Sequence, residues 1–218
     1  GSLHGLQIAL PRWSPDGTRI AFIGGLMSDQ GSTGGDIYAV SVADGALDNL
    51  TPGIRVTPSW LKWTGADSML VSQIRNGQMQ LAAYAVGAHA AHAQHVLFTL
   101  AASIGDGSAA RAVSLSADNK KIAFIQSSWA AAPEVHAGAL GPQPPPAVTT
   151  INNGLTPAWG KAESVEWDND GYHVQGWLLY PADYDPAQTY PMIVYVHGGP
   201  SSAVMASWPG VGYGPAPL

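Results

Sequence analysis

The chain has 218 residues, enough for one large or two small domains with a sizeable core. Charged residues make up only 11% of it, and the 26 Gly and 17 Pro favour short strands joined by tight turns over long helices. The net charge of −6, with nine scattered Lys and Arg, argues against a nucleic acid partner, and the absence of cysteine excludes disulfides and thiolate metal sites.

The sequence contains no run of about 18 apolar residues that could span a bilayer, so we predict no membrane partner. Its beginning also lacks a charged start followed by an apolar signal core. We therefore favour a cytoplasmic protein. A periplasmic or secreted setting stays open, because the natural N-terminus can be missing.

The segment 12–23, RWSPDGTRIAFI, predicts a turn between two strands. Pro15 presets φ for the first corner, Asp16 can hydrogen-bond its own backbone, and Gly17 can take the left-handed position. A second strand pair is predicted around DIYAVSV at 36–42, and the unit closes at 50–52.

The same order of features returns twice. Trp63 follows Trp13 after 50 residues and Leu115 follows Trp63 after 52, and each time a turn with an aspartate comes next. These aspartates are Asp16, Asp67 and Asp118. Within the units, we match residues 37–39 with 80–82 and 135–137.

A period near fifty residues with about four strands per unit is typical of β-propeller blades. Three unrelated hairpins in a sandwich are the alternative, and the fixed spacing favours blades. Because propellers usually close with four to eight blades, about three blades leave the ring incomplete. We therefore expect blades missing upstream or open sheet edges that allow self-association.

The residues after Trp159 change in character. A hairpin is predicted over 163–180, with Asn169, Asp170 and Gly171 as its tight turn. After a proline-bounded loop, the apolar run Met192–Val196 predicts a strand buried on both faces, as in α/β sheets. His197, Gly198, Gly199 and Pro200 follow at its carboxyl end, where open α/β sheets bind their ligands.

Two stretches carry a family resemblance. WSPDGTRIAF resembles the repeat of TolB-like propellers, and SVEWDNDGYHVQGWLLYP followed by YPMIVYVHGGP resembles the prolyl oligopeptidase family of serine peptidases. HGGP is similar to the acylaminoacyl-peptidase branch, since the dipeptidyl and proline-specific branches typically carry tyrosine where His197 stands. The resemblance implies a mostly β fold, with an incomplete β-propeller over 1–160 and the first strands of an α/β-hydrolase domain over 161–218.

The resemblance also implies that the backbone of His197, Gly198, Gly199 and Pro200 holds the oxyanion or orients the substrate, the alternative being an ordinary turn after a strand. His197 is interpreted as a structural side chain rather than a general base. Gly-x-Ser-x-Gly does not occur in the sequence, and neither Ser201 nor Ser202 is predicted to be a nucleophile. In this family the serine, aspartate and histidine would all come later in the chain.

We therefore interpret the chain as a piece of a serine peptidase that hydrolyses short peptides by acyl transfer, without cofactor, and that is inactive by itself. Paired glutamates for a substrate amino terminus are not evident. One alternative is a non-catalytic propeller module that binds peptides or proteins. A second alternative is an esterase of the same fold, because acyl-transfer machinery does not reveal whether an ester or an amide is cut.

Three further groups of residues have a structural and a functional interpretation. His89, His92 and His95 could gather around a metal, but an exposed loop is favoured and no metal site is predicted. Asp168 and Asp170 could form a carboxylate pair, but a hairpin turn explains them. Tryptophans at the starts of the units could stack a ligand, but core packing is favoured. These tryptophans are Trp13, Trp60, Trp63 and Trp159.

Overall fold

The structure is a computed structural model that describes residues 3, 5–28, 31–32, 34–106, 111–198 and 202–209. These residues form β-strands and no helix, so no helix among them could cross a membrane, and the prediction of a mostly β fold is confirmed. The strands are β1 (Gln7–Trp13), β2 (Arg19–Gly25), β3 (Met27–Ser28), β4 (Gly31–Ser32), β5 (Asp36–Ser41), β6 (Leu47–Asn49), β7 (Thr57–Gly65), β8 (Ser68–Arg75), β9 (Gln78–Val86), β10 (Ala91–Leu100), β11 (Ser103–Gly105), β12 (Ser114–Leu115), β13 (Lys121–Ser127), β14 (Glu134–Ala139), β15 (Trp159–Asn169) and β16 (Tyr172–Pro181).

Three antiparallel sheets follow one another along the chain. The first has the order β1-β2-β5-β6 and the second the order β7-β8-β9-β10. In the third, β14 pairs with one edge of β13, and β11 and β12 pair with successive parts of the other edge. A bridge between His136 and Ala147 marks a fourth position beside β14. The sheets therefore repeat the four-stranded pattern that the sequence spacing predicts.

The residues that define the repeat spacing form equivalent cross-strand pairs in the three sheets. Trp13 pairs with Ile20, Trp63 pairs with Met69, and Leu115 pairs with Ile122. The match within the units is shifted in the second sheet, because counting from these pairs aligns Leu81, not Gln80, with Ile37. Side chains alternate between the two faces of a strand, so this shift of one residue matters for which face each side chain occupies.

Two of the three aspartate turns have the same geometry, and the turn of the second sheet differs. The Asp16 carboxylate accepts hydrogen bonds from the Ser14 hydroxyl at 2.6 Å and from the Thr18 backbone N–H at 3.0 Å, and Gly17 has φ of 70°. The third sheet repeats this arrangement with Asp118, which accepts a bond from the Ser116 hydroxyl at 2.6 Å. Asp67 instead lies in a shorter turn between Gly65 and Ser68, which pair directly, so it is not equivalent to the other two.

The second sheet is the central layer. On β8, Met69 and Val71 pack into a core shared with the first sheet, whereas Leu70 packs into a core shared with the third. All three are at most 1% exposed, because adjacent side chains point to opposite faces and both faces are covered.

Arg19 joins the first and second sheets. Its guanidinium donates to the carbonyl oxygens of Gly87 at 3.0 Å and Ala66 at 2.9 Å, and its Cζ lies 5.0 Å from the ring centroid of Trp63. The carboxylate of Asp67 lies 3.5 Å away. Trp63 returns a contact, since its indole N–H donates to the carbonyl of Arg12 at 3.1 Å. These contacts set the position of one sheet relative to the other.

Strands β15 and β16 form a separate antiparallel hairpin. Its turn is the predicted one, with φ of 50° at Asp170 and 82° at Gly171, the left-handed values that a two-residue turn of this kind requires. The strands extend further than predicted, and β15 begins at Trp159. The division of the chain after residue 160 therefore falls within β15, and the two-domain organisation stays a prediction.

The prediction of a buried strand at Met192–Val196 is wrong for this structure. These residues belong to no strand, and their exposed fractions run from 55% at Tyr195 to 82% at Val196. A strand buried on both faces needs neighbouring strands and covering layers. Among the residues that the structure describes, β15 and β16, the preceding strands, pair only with each other.

Candidate functional site

The segment 192–198 carries the start of the predicted oxyanion loop and is held from its N-terminal side by a tyrosine-rich loop. The ring of Tyr184 lies 4.6 Å from that of Tyr180 and 5.4 Å from that of Tyr190, measured between centroids. The Tyr190 hydroxyl accepts a hydrogen bond from the backbone N–H of Asp185 at 2.9 Å. These contacts fold the loop back onto β16 before the segment begins.

The residues after the loop are anchored to the sheets. The indole N–H of Trp177 donates to the carbonyl of Val204 at 3.0 Å, and Met205, 4% exposed, packs into the core of the second and third sheets. The backbone N–H of Trp208 donates to the Ser127 hydroxyl at 3.4 Å. The exposed segment 192–198 is therefore attached at both ends.

The structure describes only part of the predicted oxyanion loop. His197 is half-buried, and its Nδ1 lies 3.0 Å from the carbonyl oxygen of Gly198. Gly198 is exposed, and apart from its chain neighbours no heavy atom of the described residues lies within 4 Å of the place where a Cβ would stand. Gly199 and Pro200 lie outside the described residues. The backbone at Gly198 is thus open to an approaching group, and the oxyanion role stays a prediction.

Ser201 also lies outside the described residues, and Ser202 is half-buried. Among the described residues, no hydrogen bond joins Ser202 to a histidine. A serine nucleophile needs a base within hydrogen-bond reach. That neither serine acts as a nucleophile stays a prediction.

Four tryptophans connect the hairpin, the third sheet and the end of the described chain. Trp129 and Trp177 meet edge to face at 6.2 Å between centroids, and Trp159 lies 5.1 Å from Trp208. The indole N–H of Trp159 donates to the carbonyl of Trp129 at 2.8 Å. Trp159 therefore packs against other aromatic rings, but it is half-buried and belongs to neither core, so the prediction of core packing is wrong for it.

The other predicted core tryptophans do not behave alike. Trp60 and Trp63 are 6% and 4% exposed and belong to the two cores, which confirms the prediction for them. Trp13 is 60% exposed, so core packing is wrong for it. Arg19 covers Trp63 from the first sheet, whereas no described sheet precedes the first one to cover Trp13 in the same way.

A charged cluster stabilises the base of the hairpin. Glu163 accepts hydrogen bonds from the Lys161 ammonium at 2.7 Å and from the Tyr180 hydroxyl at 2.6 Å. The bond from Lys161, followed by that from Tyr180, lowers the pKa of Glu163, and the bond to Glu163 raises the pKa values of Lys161 and Tyr180. The ammonium also lies 4.6 Å from the Tyr180 ring centroid. Each of these three side chains bonds to another member of the cluster, which indicates a structural role.

The tip of the hairpin holds a histidine between two carboxylates. Nδ1 of His173 lies 3.0 Å from Asp168 Oδ1, and its Nε2 lies 3.2 Å from Glu166 Oε2. The bonds to Asp168 and then Glu166 raise the pKa of His173. Asp168 is thus engaged with a neighbouring strand and Asp170 lies in the turn, as the structural interpretation of the two aspartates expects.

His92 and His95 of the predicted exposed loop lie instead on β10. Nδ1 of the exposed His89 lies 3.0 Å from the Asp48 carboxylate, and His95 lies on β10 opposite Ala83. Within the described part of the chain, no group of three or more His, Cys, Asp or Glu side chains could hold a metal ion.

A cleft of about 360 Å³ lies between the first and second sheets, and sequence analysis did not find it. Its walls come from the residues just before β5, from the connection between β6 and β7 with the start of β7, and from the end of β8 with the residue after it. Arg55 and Arg75 both line it. The lining residues are scattered over more than forty positions, so no motif could have indicated the cleft. The complete lining is Gly34, Gly35, Ile54, Arg55, Val56, Thr57, Ile74, Arg75 and Asn76.

No family model matches the chain. The probable dipeptidyl-peptidase 5 of Aspergillus niger is 25% identical over 204 residues, which cover 91% of this chain and 27% of that protein. The structure of the AtxE2 isopeptidase, with astexin3 bound, superposes with a TM-score of 0.54 at 13% identity, covering 91% of this chain and 28% of that one. TolB from Acinetobacter baumannii gives a TM-score of 0.46 at 14% identity, covering 82% and 42%. The chain thus spans about a quarter of the length of the curated relative and of the isopeptidase it matches.

Proposed function

We propose that this chain, which is 25% identical to a probable dipeptidyl-peptidase 5 in a match that covers 91% of its length, is part of a serine peptidase of the prolyl oligopeptidase family that hydrolyses short peptides. In this proposal, residues 1–160 form blades of a propeller that restricts access to the active site. Residues 161–218 begin an α/β-hydrolase domain. The Ser, Asp and His of the triad belong to residues of the longer protein.

The observation that carries the proposal is the continuity of the match. It runs over 204 residues and therefore includes both the repeated sheets and the hairpin that follows them. A non-catalytic propeller module that binds peptides or proteins would need only the repeated sheets. The tryptophans that pack the hairpin against the third sheet support one continuous unit, since Trp159 on β15 bonds to the carbonyl of Trp129.

The exposed segment 192–198 supports the hydrolase part. Its five apolar residues, all more than half exposed, form a run that a folded protein would usually cover. As a central strand of a parallel sheet, the run would be covered on both faces. The backbone N–H groups after it would then point into a water-excluded site, where they can stabilise a developing oxyanion.

The function is tested on the full-length gene product with three chromogenic substrates: a dipeptidyl amide, an N-acyl-aminoacyl amide and a simple ester. We expect amide hydrolysis, together with labelling by a fluorophosphonate that reacts with activated serines. Changing the serine of the downstream Gly-x-Ser-x-Gly to alanine should abolish both. Cleavage of the ester alone would indicate an esterase, and the absence of both hydrolysis and labelling would contradict the proposal.

The oxyanion role has its own matched pair of variants. In the full-length enzyme, Gly198→Pro removes a backbone N–H from the loop, whereas Gly198→Ala keeps it and adds a Cβ into open space. We expect kcat to fall by about 10²–10³ for the proline variant if this N–H is a donor to the oxyanion, with little change in KM. Equal activity of the two variants would show that this N–H does not contribute.

A further inference from the structure

The open cleft between the first and second sheets has the volume of a small binding site. At about 360 Å³ it falls within the range of pockets that bind small ligands. Backbone of Gly34 and Gly35 forms one wall, and the residues before and at the start of β7 form another. Apolar side chains from Ile54, Val56 and Ile74 contribute to the lining.

The charged side chains that line the cleft are both positive. Arg55 and Arg75 are both exposed, and no carboxylate is among the lining residues. Within the described part of the chain, neither guanidinium forms an ion pair. Asp36 follows the lining residue Gly35, and its carboxylate already accepts bonds from the Asn49 side chain and from the backbone N–H groups of Gly53 and Ile54. In a protein with a net charge of −6, this makes the cleft a local site for an anion.

The cleft also lies beside the hairpin that begins the proposed hydrolase domain. Asn76 lines the cleft, and a Cβ placed on the next residue, Gly77, would lie only 2.9 Å from Oε1 of Gln175 on β16. The turn between β8 and β9 therefore contacts the hairpin directly. A ligand in the cleft would lie on the side of the sheets that faces the proposed catalytic domain.

We propose that this cleft binds the C-terminal carboxylate of short peptides through Arg55 and Arg75. Guanidinium groups bind carboxylates with two parallel charge-assisted hydrogen bonds, and every short peptide carries one terminal carboxylate. Capture of this group would select for short substrates, because a long chain could not place its terminus there while its scissile bond reached the active site. The inference rests on the proposed function and adds the feature of the substrate that is recognised.

Binding is measured on the 218-residue chain by calorimetry and by NMR of arginine side-chain N–H signals. The probes are N-acetyl-trialanine and its C-terminal amide. We expect the acid to bind about tenfold more tightly than the amide, since only the acid can form charge-assisted bonds. Arg55→Gln and Arg75→Gln should each weaken binding of the acid by about tenfold. Arg12 is a half-buried arginine that bonds to the carbonyl of Pro11 and does not line the cleft, so Arg12→Gln is the control and should bind normally.

Inorganic phosphate separates a peptide site from a general anion site. If phosphate binds as tightly as the acid, with the same dependence on both arginines, the assignment to peptides is overturned. It is also overturned if acid and amide bind equally, or if both glutamine variants bind like the wild type. The binding experiment needs no catalysis. If the acid does not bind to the cleft but the full-length protein is an active peptidase, the cleft assignment alone is refuted. Binding by the chain without peptidase activity in the full-length protein would refute the proposed function alone.

Discussion

Two isoleucines provide a direct test of how the apolar run at Met192–Val196 behaves. Ile23 on β2 is completely buried in the core shared by the first two sheets, whereas Ile193 is 77% exposed. We expect Ile23→Ala to lower the free energy of unfolding by about 2–5 kcal/mol, because it removes buried methyl groups and leaves a cavity. Both substitutions remove the same atoms, so the difference between them reports burial.

The expected effect at Ile193 follows from its exposure. Fully burying an isoleucine side chain contributes about 1.5–3 kcal/mol. With 77% of the residue exposed, less than a quarter of that contribution is present, so Ile193→Ala should cost about 0.7 kcal/mol or less. In a longer protein that carries the proposed hydrolase sheet, the same substitution should cost about 2–5 kcal/mol, because neighbouring strands would then bury it.

The assay is equilibrium unfolding in urea, followed by tryptophan fluorescence, for both variants in the 218-residue chain and in the full-length protein. A cost at Ile193 equal to that at Ile23 in the 218-residue chain would refute the exposed placement of the segment. A cost near zero at Ile193 in both forms would refute the proposed strand in a hydrolase sheet.

Three further substitutions test the interactions that hold the sheets and the hairpin. Arg19→Ala should destabilise the chain by about 2 kcal/mol by removing the bonds to Ala66 and Gly87, whereas Arg12→Ala, which loses one exposed contact, should change urea unfolding little. The bond from the Ser14 hydroxyl, followed by those from Thr18, lowers the pKa of Asp16 to about 2, so its stabilisation is complete above the ordinary value of 3.8 and is lost as pH falls through about 2. Asp16→Asn should therefore flatten the loss of stability in this acid range, and an unchanged pH profile would contradict the turn geometry. The pKa of His173 is raised by Asp168 and Glu166, so its contribution is complete below about 6.5 and is lost as pH rises through the higher folded value. NMR titration should show a lower pKa for His173 in Asp168→Asn than in the wild type. An unchanged pKa would contradict the placement of His173 between Asp168 and Glu166.

Features set by neighbours in sequence were predictable. The Ser-x-Asp turn at Asp16 forms because a hydroxyl and a carboxylate two residues apart bond to each other and to the local backbone. Its repeat at Asp118 forms for the same reason, with Asn119 in the left-handed position that Gly17 takes. The hairpin turn at Asp170 and Gly171 is equally local.

Features that depend on contacts between strands and sheets distant in sequence were not predictable. The shift of one residue between Gln80 and Leu81 depends on strand register, which is decided across the sheet. The cleft with Arg55 and Arg75 forms only where two sheets meet. For the candidate site, the sequence indicated His197 and Gly198 but not the tyrosine loop and tryptophans that hold the segment on either side.

The sequence by itself determined the repeat, the turns and which side chains are apolar enough to be buried. Tertiary structure alone decided which of them are buried. Trp13 and Trp63 occupy equivalent positions, yet only Trp63 has a neighbouring sheet and the Arg19 guanidinium to cover it. Met192–Val196 has the composition of a buried strand and lies exposed. The physical reason is that burial is a property of a contact between two surfaces, and a sequence pattern describes only one of them.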